Sequence, residues 1–137
     1  MIFKTNKVII DAGHFTGDPG ASANSYTERD EVMKIRNELI PLLKEVGLEV
    51  YAIPDTLNLN DSIAFANSIA PKLDDALAVS IHLNSLSDKN ANGTLSIYYA
   101  PSKESKQMAE ILSKNVSEAL GVKNKGILPD TQTYAGS

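Results

Sequence analysis

The 137-residue sequence has no cysteine. Disulfide scaffolds, cysteine nucleophiles and zinc ribbons are therefore excluded. It has only two histidines, and without cysteine any metal site must use His, Asp or Glu. Long apolar runs are missing too, and nothing in the chain is long enough to span a bilayer. Basic residues are in the minority, with 13 Lys and Arg against 17 Asp and Glu and a net charge of −4. That balance argues against a nucleic-acid binder, which normally presents a basic face, and leaves no polybasic anchor for a membrane surface. The opening "MIFKTNKVII" lacks the apolar core and cleavage site of a signal peptide, so the chain is expected to be made in the cytoplasm and to reach any outer site by other means. Internal repeats and linker-like stretches are absent, and the length suits one compact domain over residues 1–137.

The segments that remain alternate in period. Lys7 to Asp11 is a β-branched run closed by Gly13, a strand pattern. A loop rich in Gly, Ser, Asn and Pro follows, from Phe15 to Tyr26. Thr27 to Asp30 fits a capping box, with Thr27 as N-cap and Asp30 reaching back. Behind it Val32, Ile35, Leu39, Leu42, Leu43 and Val46 recur at helical spacing, and Gly47 stands where a left-handed C-cap belongs. Glu49 to Ile53 reads as a second strand stopped by Pro54, and Asn60 to Leu73 as a helix. Ala76 to Leu83 alternates cleanly, with Leu77, Val79, Ile81 and Leu83 on one face and Ala78, Ser80, His82 and Asn84 on the other. Thr94 to Tyr99 is a fourth strand. Ser102 caps a helix striped by Met108, Ile111, Leu112, Val116, Ala119 and Leu120 and ended by Gly121, and no period is visible from Val122 to Ser137. Strands alternating with helices predict an α/β fold with a mostly parallel central sheet between helical layers.

In open α/β sheets, ligands bind beyond the carboxyl ends of the strands. His14 lies just past the first strand and His82 at the end of the third, so both belong to that edge. Glu28 opens the first long helix, which starts near the same edge in a βαβ unit. Two histidines and one carboxylate form a known catalytic zinc set. Each residue also has a plain structural reading. His14 can be a loop residue, His82 can bond a neighbour, Glu28 suits the helix dipole, and Asp11 and Asp18 can be turn formers.

The segments "IIDAGH…DPGA", "TERDEVMKIRNELIPLLKEVGLEVY", "VSIHLNS" and "GTLSIYYA" resemble, in order and spacing, the zinc-dependent N-acetylmuramoyl-L-alanine amidases. These are catalytic domains of bacterial autolysins, of sporulation and division hydrolases and of phage endolysins. The resemblance runs from the first strand to the end of the chain. It implies one zinc ion held by His14, Glu28 and His82. It also implies hydrolysis of the amide between N-acetylmuramic acid and L-alanine in peptidoglycan, at the bacterial cell wall after release or export, or as an endolysin made in the cytoplasm. Asp11 would accept a hydrogen bond from a ligand histidine or brace the turn. Asn84 would contact substrate or cap the strand.

The sequence also departs from the family. Phe15 stands where glycine usually follows the histidine, and "KNKGI" stands where Arg-Gly is common, keeping a basic residue at Lys125. The family continues into a further strand and helix, and that strand carries a glutamate taken as general base; no residue here matches it. Loss of a positioned base typically costs about 10²–10⁴ in rate, so this chain is expected to be weakly active or inactive. A sheet lacking that strand is expected to present an unpaired edge open to self-association. Three other readings stand beside the amidase: a zinc-containing muropeptide-binding domain that does not cut, another zinc peptidase, and an α/β domain without metal.

Overall fold

A run of four apolar residues in five, Val8, Ile9, Ile10 and Ala12, forms the most deeply buried strand among the described residues. The structure, a computed structural model, describes residues 5–72, 75–85, 88 and 90–133. The described chain forms two compact units, one running to Ser85 and one following it. In the first unit, β1 (Lys7–Ala12) lies between β4 (Glu49–Ala52) and β5 (Leu77–Ile81), and both pairings are parallel. Burial on both faces is what a central parallel strand requires. A hairpin of β2 (Ser22–Ala23) and β3 (Tyr26–Thr27) leads into α1 (Glu28–Glu45), and α2 (Leu59–Ile69) connects β4 to β5.

The termini of these elements follow from local chemistry. Thr27 Oγ1 accepts from the Asp30 N–H at 3.3 Å and caps α1. The reciprocal half of the expected capping box is replaced, because the Asp30 carboxylate takes Arg29 Nε at 3.0 Å instead. Gly47, at φ +89°, supplies the left-handed residue after α1. Asn58 caps α2 through the Asp61 N–H at 3.0 Å. That helix stops earlier than its pattern suggests, at Ala70 before Pro71, since the proline ring disfavours a helical residue ahead of it. Leu73, the expected end, lies outside the described residues. Strand β5 ends at Ile81, two residues short of the sequence pattern, because the Leu83 N–H turns out of the ladder to a side chain described below.

The apolar stripe expected on α1 is only partly the buried one. Val32 is fully buried, but Ile35, Leu42 and Val46 are exposed, and the inward face is shared by Glu28 and Arg36.

In the second unit, β6 (Thr94–Tyr98) pairs in parallel with β7 (Asn124–Pro129), and α3 (Lys103–Leu120) connects them. A 3₁₀ turn, Asp130–Gln132, follows. Ser102 caps α3 through the Ser105 N–H, and Gly121 ends it at φ +65°. The buried face of α3 is a correction to the sequence reading. Ala109, Ser113 and Ser117 are buried, while Ile111, Val116 and Leu120 are exposed. Small side chains let the helix lie close on the two strands: Thr94 Oγ1 donates to the Ser113 carbonyl at 3.0 Å, and Ser113 Oγ lies 2.6 Å from Asn124 Oδ1 and 2.9 Å from the Gly126 carbonyl oxygen. Strand β7 falls where the sequence shows no period. Its Gly126 sits at φ +85°, and the pairing register shifts between Thr94 and Ser96, so neither alternation nor β-branched composition marks it. Strand β6 loses its expected last residue because the Tyr99 N–H donates to Ser105 Oγ instead.

Candidate metal centre

His14, Glu28 and His82 come together at the carboxyl edge of the three-stranded sheet, each with one donor atom within 4.8 Å of the others'. Glu28 is the hub. Its Oε2 is 3.0 Å from His14 Nε2 and its Oε1 is 3.1 Å from His82 Nδ1. The two imidazoles meet edge to face, with ring centroids 5.2 Å apart.

Glu28 reaches this place because it opens α1 directly after the hairpin. It is 8% exposed, and a carboxylate so buried must be compensated. Two backbone donors do this, the Leu83 N–H to Oε1 at 2.9 Å and the Ala21 N–H to Oε2 at 3.2 Å. Burial works against its charge, but these two amides, His82 and the nearby His14 outweigh burial and hold the Glu28 pKa below its usual value.

His14 turns into the cluster through a left-handed backbone, φ +73°, uncommon for a residue with a side chain. Its other nitrogen, Nδ1, is 2.8 Å from Asp18 Oδ2, and Asp18 Oδ1 accepts from the Gly20 N–H at 3.0 Å. The imidazole is thus held between two carboxylates. Partial burial opposes the imidazolium, but the bonds and charges of Asp18 and Glu28 win and raise the His14 pKa.

Two glycines make room for this cluster. A Cβ on Gly13 would fall 2.4 Å from His82 Cε1, and one on Gly20 would fall 2.6 Å from His14 Cδ2 and 2.9 Å from Glu28 Oε2. A side chain at either position would push a histidine ring out of its place in the cluster.

Asp11 bonds across the sheet. Its Oδ2 accepts from Ser80 Oγ at 2.7 Å, which ties β1 to β5, and burial raises its pKa against the opposing effects of Ser80, His82 and Arg36. The carboxylate on a histidine's outer nitrogen is that of Asp18, which sequence reasoning assigned to a turn. The four-residue spacing from His14 to Asp18, across a glycine, was the available signal. Asn84 is exposed two residues past His82. A cavity of about 530 Å³ opens beside the cluster, lined by both histidines and Asp11 and, beyond them, by Ile53, Ile63 and Ala78 among others. Phe15 forms part of the same wall.

With this geometry in place, similarity to known proteins decides the family. Residues 8–135 match the sequence profile of the N-acetylmuramoyl-L-alanine amidases. The chain belongs to that family. It is 31% identical to the catalytic domain of CwlV, an N-acetylmuramoyl-L-alanine amidase from Bacillus (Paenibacillus) polymyxa var. colistinus, with a TM-score of 0.76 over 90% of this chain and 69% of that one. The fold is shared with the amidase AmiC2 of Nostoc punctiforme, at 24% identity and a TM-score of 0.77, over 94% of this chain and 71% of that one. A probable cell wall amidase, LytH, from Staphylococcus saprophyticus is 28% identical over 126 residues, 90% of this chain. The match spans only 40% of that protein's length. The α/β class with parallel strands, expected from the alternation of elements, is the fold of this amidase family. No helix among the described residues is long and apolar enough to cross a membrane.

Proposed function

We propose that this amidase-family chain binds one zinc ion through His14 Nε2, Glu28 and His82, and that the site serves hydrolysis of the amide joining N-acetylmuramic acid to L-alanine in peptidoglycan. One observation carries the metal reading: a single buried carboxylate, Glu28, faces a nitrogen of each of two imidazoles at 3.0 and 3.1 Å. Two imidazoles and a carboxylate suit zinc and leave a position for water. The glycines at 13 and 20 leave room for the two imidazoles and Glu28 to stand where they do.

A zinc ion held by His14, Glu28 and His82 would supply Lewis acidity toward a water molecule and the scissile carbonyl. The chain does the rest. Asp18 accepts from His14 Nδ1 and so directs Nε2 inward, the arrangement in which an acceptor fixes the tautomer of a ligand histidine. The Leu83 and Ala21 amides hold the two Glu28 oxygens in place. The cavity beside the cluster, walled by Ile53, Ile63 and Ala78, offers room for the substrate next to the two histidines.

The nearby carboxylates are all engaged, Glu28 with the histidines, Asp18 with His14 and Asp11 with Ser80. Among the described residues, no carboxylate of this cluster is left without a partner to stand ready as general base. We therefore expect the 137-residue chain to bind metal well and turn over slowly. That same observation favours a second reading, a domain that holds muropeptide without cutting it.

Elemental mass spectrometry of the purified chain beside His14→Ala and His82→Ala tests the site. About one zinc per chain, absent from both variants, supports it. A folded wild-type chain that takes up no zinc sinks it. Incubation with muropeptides separates the two readings, because the amidase frees stem peptides with an L-alanine amino terminus and the binding domain releases none.

A further inference from the structure

We infer that Arg36, which touches none of the three cluster residues, is a positioning residue for His14, acting through Asp55 and Thr16. This rests on the metal reading above and adds a residue to it.

Arg36 lies two turns beyond Glu28 on the inward face of α1 and is 5% exposed. Burying a guanidinium is costly unless its donors are satisfied, and here all of them are. Nη1 and Nη2 grip the Asp55 carboxylate as a fork, at 2.5 and 2.9 Å. Nη1 also donates to the Ile53 carbonyl at 3.3 Å. Nε and Nη2 donate to Asn37 Oδ1 at 3.2 and 3.0 Å. The segment after β4 is therefore held at two points, Ile53 and Asp55.

That segment in turn holds the histidine loop. The Asp55 carbonyl accepts from the Thr16 N–H at 2.9 Å and from Thr16 Oγ1 at 3.0 Å. The Thr16 carbonyl accepts from Arg29 Nη1 at 2.9 Å. Thr16 is two residues past His14, whose left-handed backbone needs external restraint. One side of His14 continues β1; the other is fixed by Thr16. The buried ion pair thus sets where the loop returns, and with it the direction of His14 Nε2. A methionine would fill similar space in α1 but leave Asp55 free to turn.

The experiment uses the 137-residue chain with Co²⁺ as a spectroscopic probe, titrated in competition with a chelator. Arg36→Met should weaken Co²⁺ binding about 10-fold, the lower end of what loss of ligand support costs, and alter the visible absorption of the bound ion. Arg36→Lys should recover only part of the loss, because an ammonium cannot reproduce the fork. In the metal-free chain, hydrogen exchange at the Thr16 amide should quicken by about 10-fold in Arg36→Met, as its local opening becomes easier. Thr16→Val, at an exposed position, removes one of the two bonds to Asp55 and should shift both readouts in the same direction even if Arg36→Met does not fold. Lys34→Gln on the outer face of α1 should move neither. Unchanged Co²⁺ affinity and Thr16 protection in folded Arg36→Met, or in Thr16→Val where Arg36→Met does not fold, overturns the inference while leaving the metal site standing. A wild-type chain that binds no Co²⁺ overturns the metal reading, and the positioning role falls with it.

Discussion

Helices α1 and α3 are both 18 residues long, and each buries polar side chains where its sequence offers apolar ones. The reasons differ. The inward face of α1 carries Glu28 and Arg36, each matched by several directed partners that converge on one edge of the sheet. The inward face of α3 carries Ser113 and Ser117 beside Ala109, where small size brings the helix close to two strands and the hydroxyls settle on nearby carbonyls and an amide oxygen. A buried charge with convergent partners marks a site; a buried hydroxyl bonded to its nearest backbone marks packing.

If that distinction holds, changes on α1 should act on metal and changes on α3 on stability. The largest effect belongs to the hub. Glu28→Gln keeps the shape but removes the charge and should weaken zinc by 100-fold or more, measured by chelator competition, since it alters a ligand and not its support. Asp18→Asn should follow, with a loss of about 10- to 100-fold. On α3, Ser113→Leu should lower stability by about 1–3 kcal/mol through overpacking, seen by denaturant titration, with zinc affinity unchanged. A loss of metal there would erase the contrast between the helices.

A pH experiment sharpens the α1 side. The raised His14 pKa means that the metal-free native state binds this proton more tightly than the unfolded chain does. The resulting stability is complete below the ordinary value of 6.5 and is lost as pH rises through the raised one. Glu28, with its pKa lowered, acts in the opposite sense and loses its contribution only in acid. Melting temperatures in the presence of chelator should therefore fall as pH climbs above 6.5, and the slope should flatten in His14→Gln. Smallest of all, Leu120→Gln on the exposed side of α3 should change stability by no more than about 0.5 kcal/mol.

The sequence made some of this legible and hid the rest for physical reasons. Period and caps located β1, α1, α3 and the alternation of β5, because each depends on local spacing. The convergence of His14, Glu28 and His82 was readable because all three stand at element ends that an α/β topology brings to one edge. Asp18 and Arg36 were not readable. Asp18 sits in Asp-Pro-Gly, which makes a good turn whatever else it does, and the partner of Arg36 is 19 residues away in a connecting segment. The inward face of α3 was misread because apolar periodicity ranks residues by transfer energy, whereas close approach to a sheet selects for size. β7 escaped notice because a strand that contains a left-handed glycine carries no alternation to find.

The bonds from Glu28 to His14 and His82 bridge 14 and 54 residues of chain. In a protein without cysteine, no covalent cross-link ties these segments together. A metal at their meeting point would do so reversibly, closing both loops at once in the folded chain and neither in the unfolded one. Its concentration would then set thermal stability as well as activity, with about 2.7 kcal/mol gained at a hundred times the dissociation constant. Chelation would act as reduction does on a disulfide-bonded protein, loosening the fold where it silences the chemistry.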